Sequence, residues 1–136
     1  MDQCIFTAVR KANRVLFRRY QDALSETGVS IVQLSILRAL ERQGPLALSR
    51  LADDLAMERT SLYRTIEPLI DSGAVHVESA LTGKSKVAKL TVEGRSTIER
   101  VMPFWAKAQE RVLNEVALTD APNFQRTLNA IAKLST

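Results

Sequence analysis

The sequence predicts a mainly α, α+β chain in which two short helices separated by a tight break lead directly into a two-stranded hairpin, with longer helices on either side. Three observations carry this expectation. Apolar residues recur at three- and four-residue spacing in both terminal thirds, the period of an amphipathic helix. A similar pattern in the middle breaks for three residues after Leu55 and then resumes. Valines then flank a glycine-containing turn, as paired strands require.

From Asp2 to Leu24 the stripe is Ile5, Val9, Ala12, Leu16, Tyr20 and Leu24, on a helix that Gly28 ends. Ser30 stands three before Gln33, a capping box whose side chains satisfy free amides at a new helix start. Leu34, Leu37 and Leu40 give that helix its buried stripe, and Gly44-Pro45 stops it. A shorter helix from about Leu48 to Leu55 turns Leu48, Leu51, Ala52 and Leu55 inward. From Glu58 onward Leu62, Ile66, Leu69 and Ile70 share one face, which leaves Thr60, Arg64 and Glu67 opposite and Ser61 at the margin. Pro68 removes a backbone hydrogen bond and is expected to bend or weaken the last turns, which Asp71-Ser72-Gly73 closes.

Val75 and Val77, a turn through Leu81-Thr82-Gly83, then Val87, Lys89 and Leu90 read as a hairpin with cations on its rim. Thr91 caps a long helix to about Ala117, carrying Ile98, Val101, Trp105, Ala108, Val112 and Val116, with a kink expected at Pro103. Asp120-Ala121-Pro122 opens a last helix marked by Phe124, Leu128 and Ile131.

The chain's 136 residues, 46% of them hydrophobic and 25% charged, suffice for one ordinary soluble domain over 1–136. No apolar run reaches the roughly 18 to 20 residues of a membrane span, so the expected location is cytoplasmic. A single cysteine excludes an intrachain disulfide, and one cysteine with one histidine cannot build the usual four-ligand zinc site. No cofactor is expected, and no nucleophile, metal or phosphate-loop constellation points to an enzyme. His76 has no accompanying motif and reads as a structural hairpin residue.

The net charge of +4 fits a nucleic-acid partner, yet between Pro45 and Arg95 seven cations face seven anions, and most of the excess lies in the first helix. DNA binding therefore has to be argued from position. A recognition helix needs donors on its exposed N-terminal turns, and Arg59, Thr60, Ser61 and Arg64 fit. By helix angle Arg64 suits a base edge, and Thr60 and Ser61 suit a phosphate or a thymine methyl. Arg59 lies nearer the core side, facing a phosphate or an intramolecular carboxylate, and Tyr63 reads as either packing or phosphate donor. Lys84, Ser85 and Lys86 at the hairpin meet phosphates or the minor-groove rim, or form a solvated tip.

The order of elements is that of a winged helix-turn-helix core, and the chain resembles the multiple antibiotic resistance regulator (MarR) family from about Val9 to Val116. The pieces that carry the resemblance are Gly44-Pro45-Leu46 leading to Leu51-Ala52, Met57-Glu58-Arg59-Thr60-Ser61-Leu62, Pro68-Leu69 and Ser72-Gly73. They continue with Gly83-Lys84-Ser85-Lys86 before Leu90-Thr91 and Gly94, and with Pro103-Phe104-Trp105 before Ala108-Gln109. Three positions depart from the family pattern. Thr82 stands for the usual aspartate, Lys84 for the usual arginine, and Ala47 for a hydroxyl residue that would cap a helix. Lysine lacks the planar fork of guanidinium, so a shallower, more electrostatic groove contact is expected at the wing.

The resemblance implies a homodimeric duplex-DNA-binding repressor on a pseudo-palindromic operator, with residues 31–91 as the DNA-binding region and residues 1–28 and 92–136 as dimerisation helices. It also implies release by a small phenolic or anionic effector, for which Arg10, Arg14 and Trp105 are the candidates. The arginine stripe, continued by Arg18, also reads as a contact to DNA phosphate near the dyad or as a solvated face, and Trp105 as core or dimer packing. Cys4 invites comparison with the family's peroxide-sensing branch, against a passive thiol. A helical interaction module that has kept the fold and lost DNA binding is the alternative from another class.

Overall fold

The computed structural model describes residues 4–79 and 85–135. In chain order these form α1 (Ile5–Ala23), α2 (Ile31–Gln43), β1 (Leu46–Ala47), α3 (Leu48–Asp54) and α4 (Arg59–Asp71), then β2 (Val75–Ser79), β3 (Lys86–Leu90), α5 (Val92–Glu115) and α6 (Ala121–Ala132). The capping box is present. Ser30 Oγ accepts from the Gln33 N–H at 3.0 Å, and Gln33 Oε1 accepts from the Ser30 N–H at 2.9 Å. Gln21 on α1 adds a third tie by accepting the Ile31 N–H at 3.0 Å. Both internal prolines, Pro68 and Pro103, lie within continuous helices.

The sheet differs from expectation. It has three antiparallel strands in the order β1-β3-β2, because Leu46 and Ala47 pair with Ala88 and Val87. Two residues are too few to show a period, so the pattern that reveals β2 and β3 is silent on β1. Across the hairpin Val75 faces Leu90 and Val77 faces Ala88, and Ala88 rather than Val87 is fully buried. The expected turn through Leu81-Thr82-Gly83, with Lys84, lies outside the described residues.

The main core gathers Ile36, Leu37 and Leu40 of α2, Leu51 of α3, Leu62 and Ile66 of α4, and Val75 and Ala88 of the sheet. Ile70, placed on the apolar face by helix angle, is instead exposed. A second cluster joins Leu24, Val29, Leu34 and Val101, fastening the end of α1 to α2 and α5. Here Thr27 is the one buried polar residue among those described; its carbonyl accepts from Arg100 Nη1 at 2.8 Å. The apolar stripes of α1 and α6 bury no residue within the chain. Among the described residues no helix is long and apolar enough to cross a membrane.

Four segments meet where α4 ends. The Gly73 N–H reaches the Ile70 carbonyl at 3.0 Å and the Ala74 N–H reaches the Leu69 carbonyl at 2.9 Å, a Schellman end with Gly73 at φ +84°. Thr91 Oγ1 donates to this turn, 2.6 Å from the Gly73 carbonyl and 3.0 Å from that of Ala74, and accepts the Gly94 N–H at 3.0 Å, capping α5. A side chain at position 94 would collide with the Ala74 carbonyl oxygen and Leu90 Cδ1. The turn after α3 repeats the Schellman pattern, Ala56 N–H to Asp53 and Met57 N–H to Ala52, but places an alanine at φ +54°.

Two substitutions should therefore act in opposite directions. Gly94→Ala is expected to destabilise the chain by about 2 kcal/mol, because backbone rather than a flexible tip stands in the way. Ala56→Gly should stabilise it by about 1 kcal/mol through relief of the left-handed alanine. Urea midpoints read both, and unchanged midpoints would contradict the crowding at 94 and the strain at 56.

Candidate nucleic-acid interface

α3 and α4 are held at their angle by the turn just described and by Leu51, Leu62 and Ile66 in the shared core. With Leu62, Ile66 and Leu69 turned inward, α4 exposes Arg59, Thr60, Ser61, Tyr63, Arg64 and Glu67. Thr60 and Arg64 stand four apart on one ridge, and Arg59 and Tyr63 form the adjacent one. Thr65 is withdrawn from this surface: its hydroxyl donates to the Ser61 carbonyl at 2.7 Å.

The helix starts differ in a telling way. α2, α5 and α6 carry side-chain caps from Ser30, Thr91 and Asp120. α1, α3 and α4 begin at Cys4, Ala47 and Glu58 with no side-chain cap. The first amides of α4 are therefore left open at the end of the helix that favours negative charge.

Beside α4, β3 opens with Lys86, preceded by exposed Ser85. A crevice of about 360 Å³ lies between these elements, lined by Leu48, Ser49, Arg59, Tyr63, Ser85 and Lys86. The structure thus brings five polar side chains from three elements to one place. Ser49 was not singled out from the sequence, although the inward set Leu48, Leu51 and Ala52 leaves it off the core face. Lys84 falls outside the described residues.

The three effector candidates do not converge. Arg10 lies over the Phe6 ring at 5.9 Å, and Arg14 lines a separate crevice with Val15, Arg18 and Asp22. Trp105 packs beside the second apolar cluster, and the guanidinium of Arg38 stands 5.3 Å from its ring centroid. Arg38 Nη1 also reaches Met102 Sδ at 3.6 Å, while its Nε is buried without a protein partner among the described residues. Arg38 and Trp105 line a crevice of about 190 Å³ with Ser35, Arg42 and Leu55. Sequence reading missed Arg38 because its position between Leu37 and Ala39 carries no periodic signal for a cation.

Cys4 is exposed at the start of α1, where the backbone amides of Thr7 and then Phe6 hold its thiol below the ordinary cysteine value without a capping hydrogen bond. Along the paired helices Arg19 bridges to Glu115, which lowers the Glu115 carboxyl, and Tyr20 donates to Gln109 Oε1.

The comparisons with known proteins agree with this layout. The sequence profile of a helix-turn-helix domain matches residues 32–78. An HTH-type transcriptional repressor of Mycobacterium tuberculosis is 27% identical over 122 residues, covering 89% of this chain and 88% of the relative. The M. tuberculosis transcriptional regulator MosR superimposes with a TM-score of 0.83 at 28% identity, over 97% of this chain and 95% of its own. MosR solved with DNA gives 0.82 at 27%, over 96% and 95%. A MarR-family regulator from Silicibacter pomeroyi shares the fold, with a TM-score of 0.74 at 20% identity over 91% and 84%. The chain carries a helix-turn-helix domain and has the winged-helix fold of the MarR-family regulators.

Proposed function

We propose that the chain is a cytoplasmic, non-enzymatic repressor that binds a pseudo-palindromic duplex as a homodimer and is released by a small aromatic anion. One observation carries the DNA half of this reading: the outward face of α4, with Arg59, Thr60, Ser61 and Arg64, stands uncovered beside Ser85 and Lys86. Arg64 is the base reader, since its fork can donate twice to a guanine edge, and Lys86 is a backbone contact. The M. tuberculosis relative's name as a repressor supports the direction of control.

A second copy explains the bare apolar faces. Ile5 and Phe6 on α1, Val116 after α5, and Phe124 and Ile131 on α6 are all exposed, and α6 packs sparsely on the rest of the chain. One copy covers a half-site, and two copies a helical turn apart are needed for useful affinity.

The Arg38–Trp105 crevice suits the effector. An aromatic ring fits beside Trp105, and a carboxylate supplies the acceptor that the buried Arg38 Nε lacks. NadR, a fold neighbour at 20% identity, is solved in complex with 4-hydroxyphenylacetate. The candidate set thereby moves from Arg10 and Arg14 to Arg38, with Trp105 retained.

Three measurements test these parts. In gel shifts with the chain's own upstream region, Arg64→Ala should lose about 1 to 3 kcal/mol of preference over a scrambled duplex, and Lys86→Ala should weaken both alike. Equal behaviour of the two variants would overturn the assignment. Light scattering should find a dimer for the native chain and a helical monomer for Phe124→Glu combined with Ile131→Glu; an unchanged mass would remove α6 from the interface. Trp105 fluorescence should titrate with 4-hydroxyphenylacetate in the native chain and not in Arg38→Met, and the same ligand should dissociate the gel-shift complex.

A further inference from the structure

We infer that the crevice between α3, α4 and the start of β3 seats one backbone phosphate of the duplex, with Ser49 as a donor that lies on neither the recognition helix nor the wing. The inference rests on the DNA-binding reading and divides its labour: this crevice sets position, and the Thr60–Arg64 ridge reads sequence.

Three features carry it. Arg59 and Tyr63 stand on adjacent turns of α4, Ser49 in the first turn of α3, and Lys86 at the start of β3, so donors from three elements line one crevice. The lining holds two cations and three hydroxyls and no carboxylate. This concentration occurs in a stretch of chain whose formal charges sum to zero. Its donors are also unspent. Among the described residues neither Arg59 nor Lys86 has an ion-pair partner, and no protein acceptor takes the Ser49 or Tyr63 hydroxyl.

A phosphodiester matches this set better than a base edge does. It offers two anionic oxygens to a guanidinium fork and further lone pairs to hydroxyls, and it needs no deep insertion. Ser49 is half-buried, Tyr63 is 50% exposed, and Arg59 and Lys86 are exposed, so the charged donors stand where an incoming phosphate reaches them first.

The test compares the native chain with Arg59→Gln, Ser49→Ala and Tyr63→Phe on an upstream duplex and a scrambled one, across a series of KCl concentrations. Arg59→Gln should weaken both duplexes by the same factor, about tenfold, and lower the slope of log affinity against log salt by about one. Ser49→Ala and Tyr63→Phe should weaken both equally with the slope unchanged, because they remove neutral donors. A single methylphosphonate that neutralises the contacted phosphate should weaken the native chain and leave Arg59→Gln nearly indifferent. Loss confined to the upstream duplex, or no methylphosphonate position that couples to Arg59, overturns the inference while leaving DNA binding intact. Micromolar saturation by inorganic phosphate at constant ionic strength would also overturn it, reassigning the crevice to a free anion. Failure of the native chain to shift any duplex would instead remove the underlying DNA-binding reading.

Discussion

Thr91 holds the structure at the point where its pieces would otherwise be independent. Its hydroxyl hydrogen serves the carbonyls that leave α4, and its oxygen caps α5, while its own backbone N–H reaches Ala74 at 3.2 Å. One residue thereby ties together the end of the exposed helix, the residue just before β2, the exit from β3 and the start of the longest helix. Gly94 makes this closeness available, since its missing side chain lets the α5 backbone meet the Ala74 carbonyl. The apolar core sets how tightly the elements pack, but this junction sets their order and direction.

Around that junction, polar groups divide by whether the fold consumes them. Ser30, Thr91 and Asp120 are spent on helix starts, Thr65 on its own helix, and Thr27 on the loop that receives Arg100. On the α3–α4 face the helix starts are uncapped and Ser49 and Tyr63 stay unbonded within the described chain. Open donors gathered on one surface leave that surface able to serve an outside partner. Net charge could not reveal this, because Asp53, Asp54, Glu58 and Glu67 offset the cations nearby without lining the crevice.

Much of the fold is legible in the sequence because it is periodic. The stripe Leu34, Leu37, Leu40 and the box Ser30–Gln33 place α2, and Leu62, Ile66 and Leu69 orient α4 well enough to name its outward residues. What escaped has no period. β1 is two residues long, Ala88 is too small to stand out in a strand, and Ile70 sits at an angle where one turn of helix decides between core and water. The sites follow the same rule. Residues sharing an element were found together, whereas Ser49 joins Arg59, and Arg38 joins Trp105, only through tertiary packing. The arginines of α1 make a conspicuous row in the sequence, but the fold keeps Arg10 and Arg14 away from Trp105.

The two-residue strand has a mechanical consequence larger than its length. By pairing Leu46 and Ala47 with Ala88 and Val87, it ties the strand that carries Lys86 to the residue immediately before α3. Main-chain pairing therefore holds the strand that opens with Lys86 beside the start of α3. On the proposed duplex-binding reading, a duplex that does not match this placement has to bend or twist to meet Lys86 and α4 together, and stiff and pliable base steps differ in the elastic penalty for doing so. On that reading, selection among sequences begins at base pairs that no side chain touches.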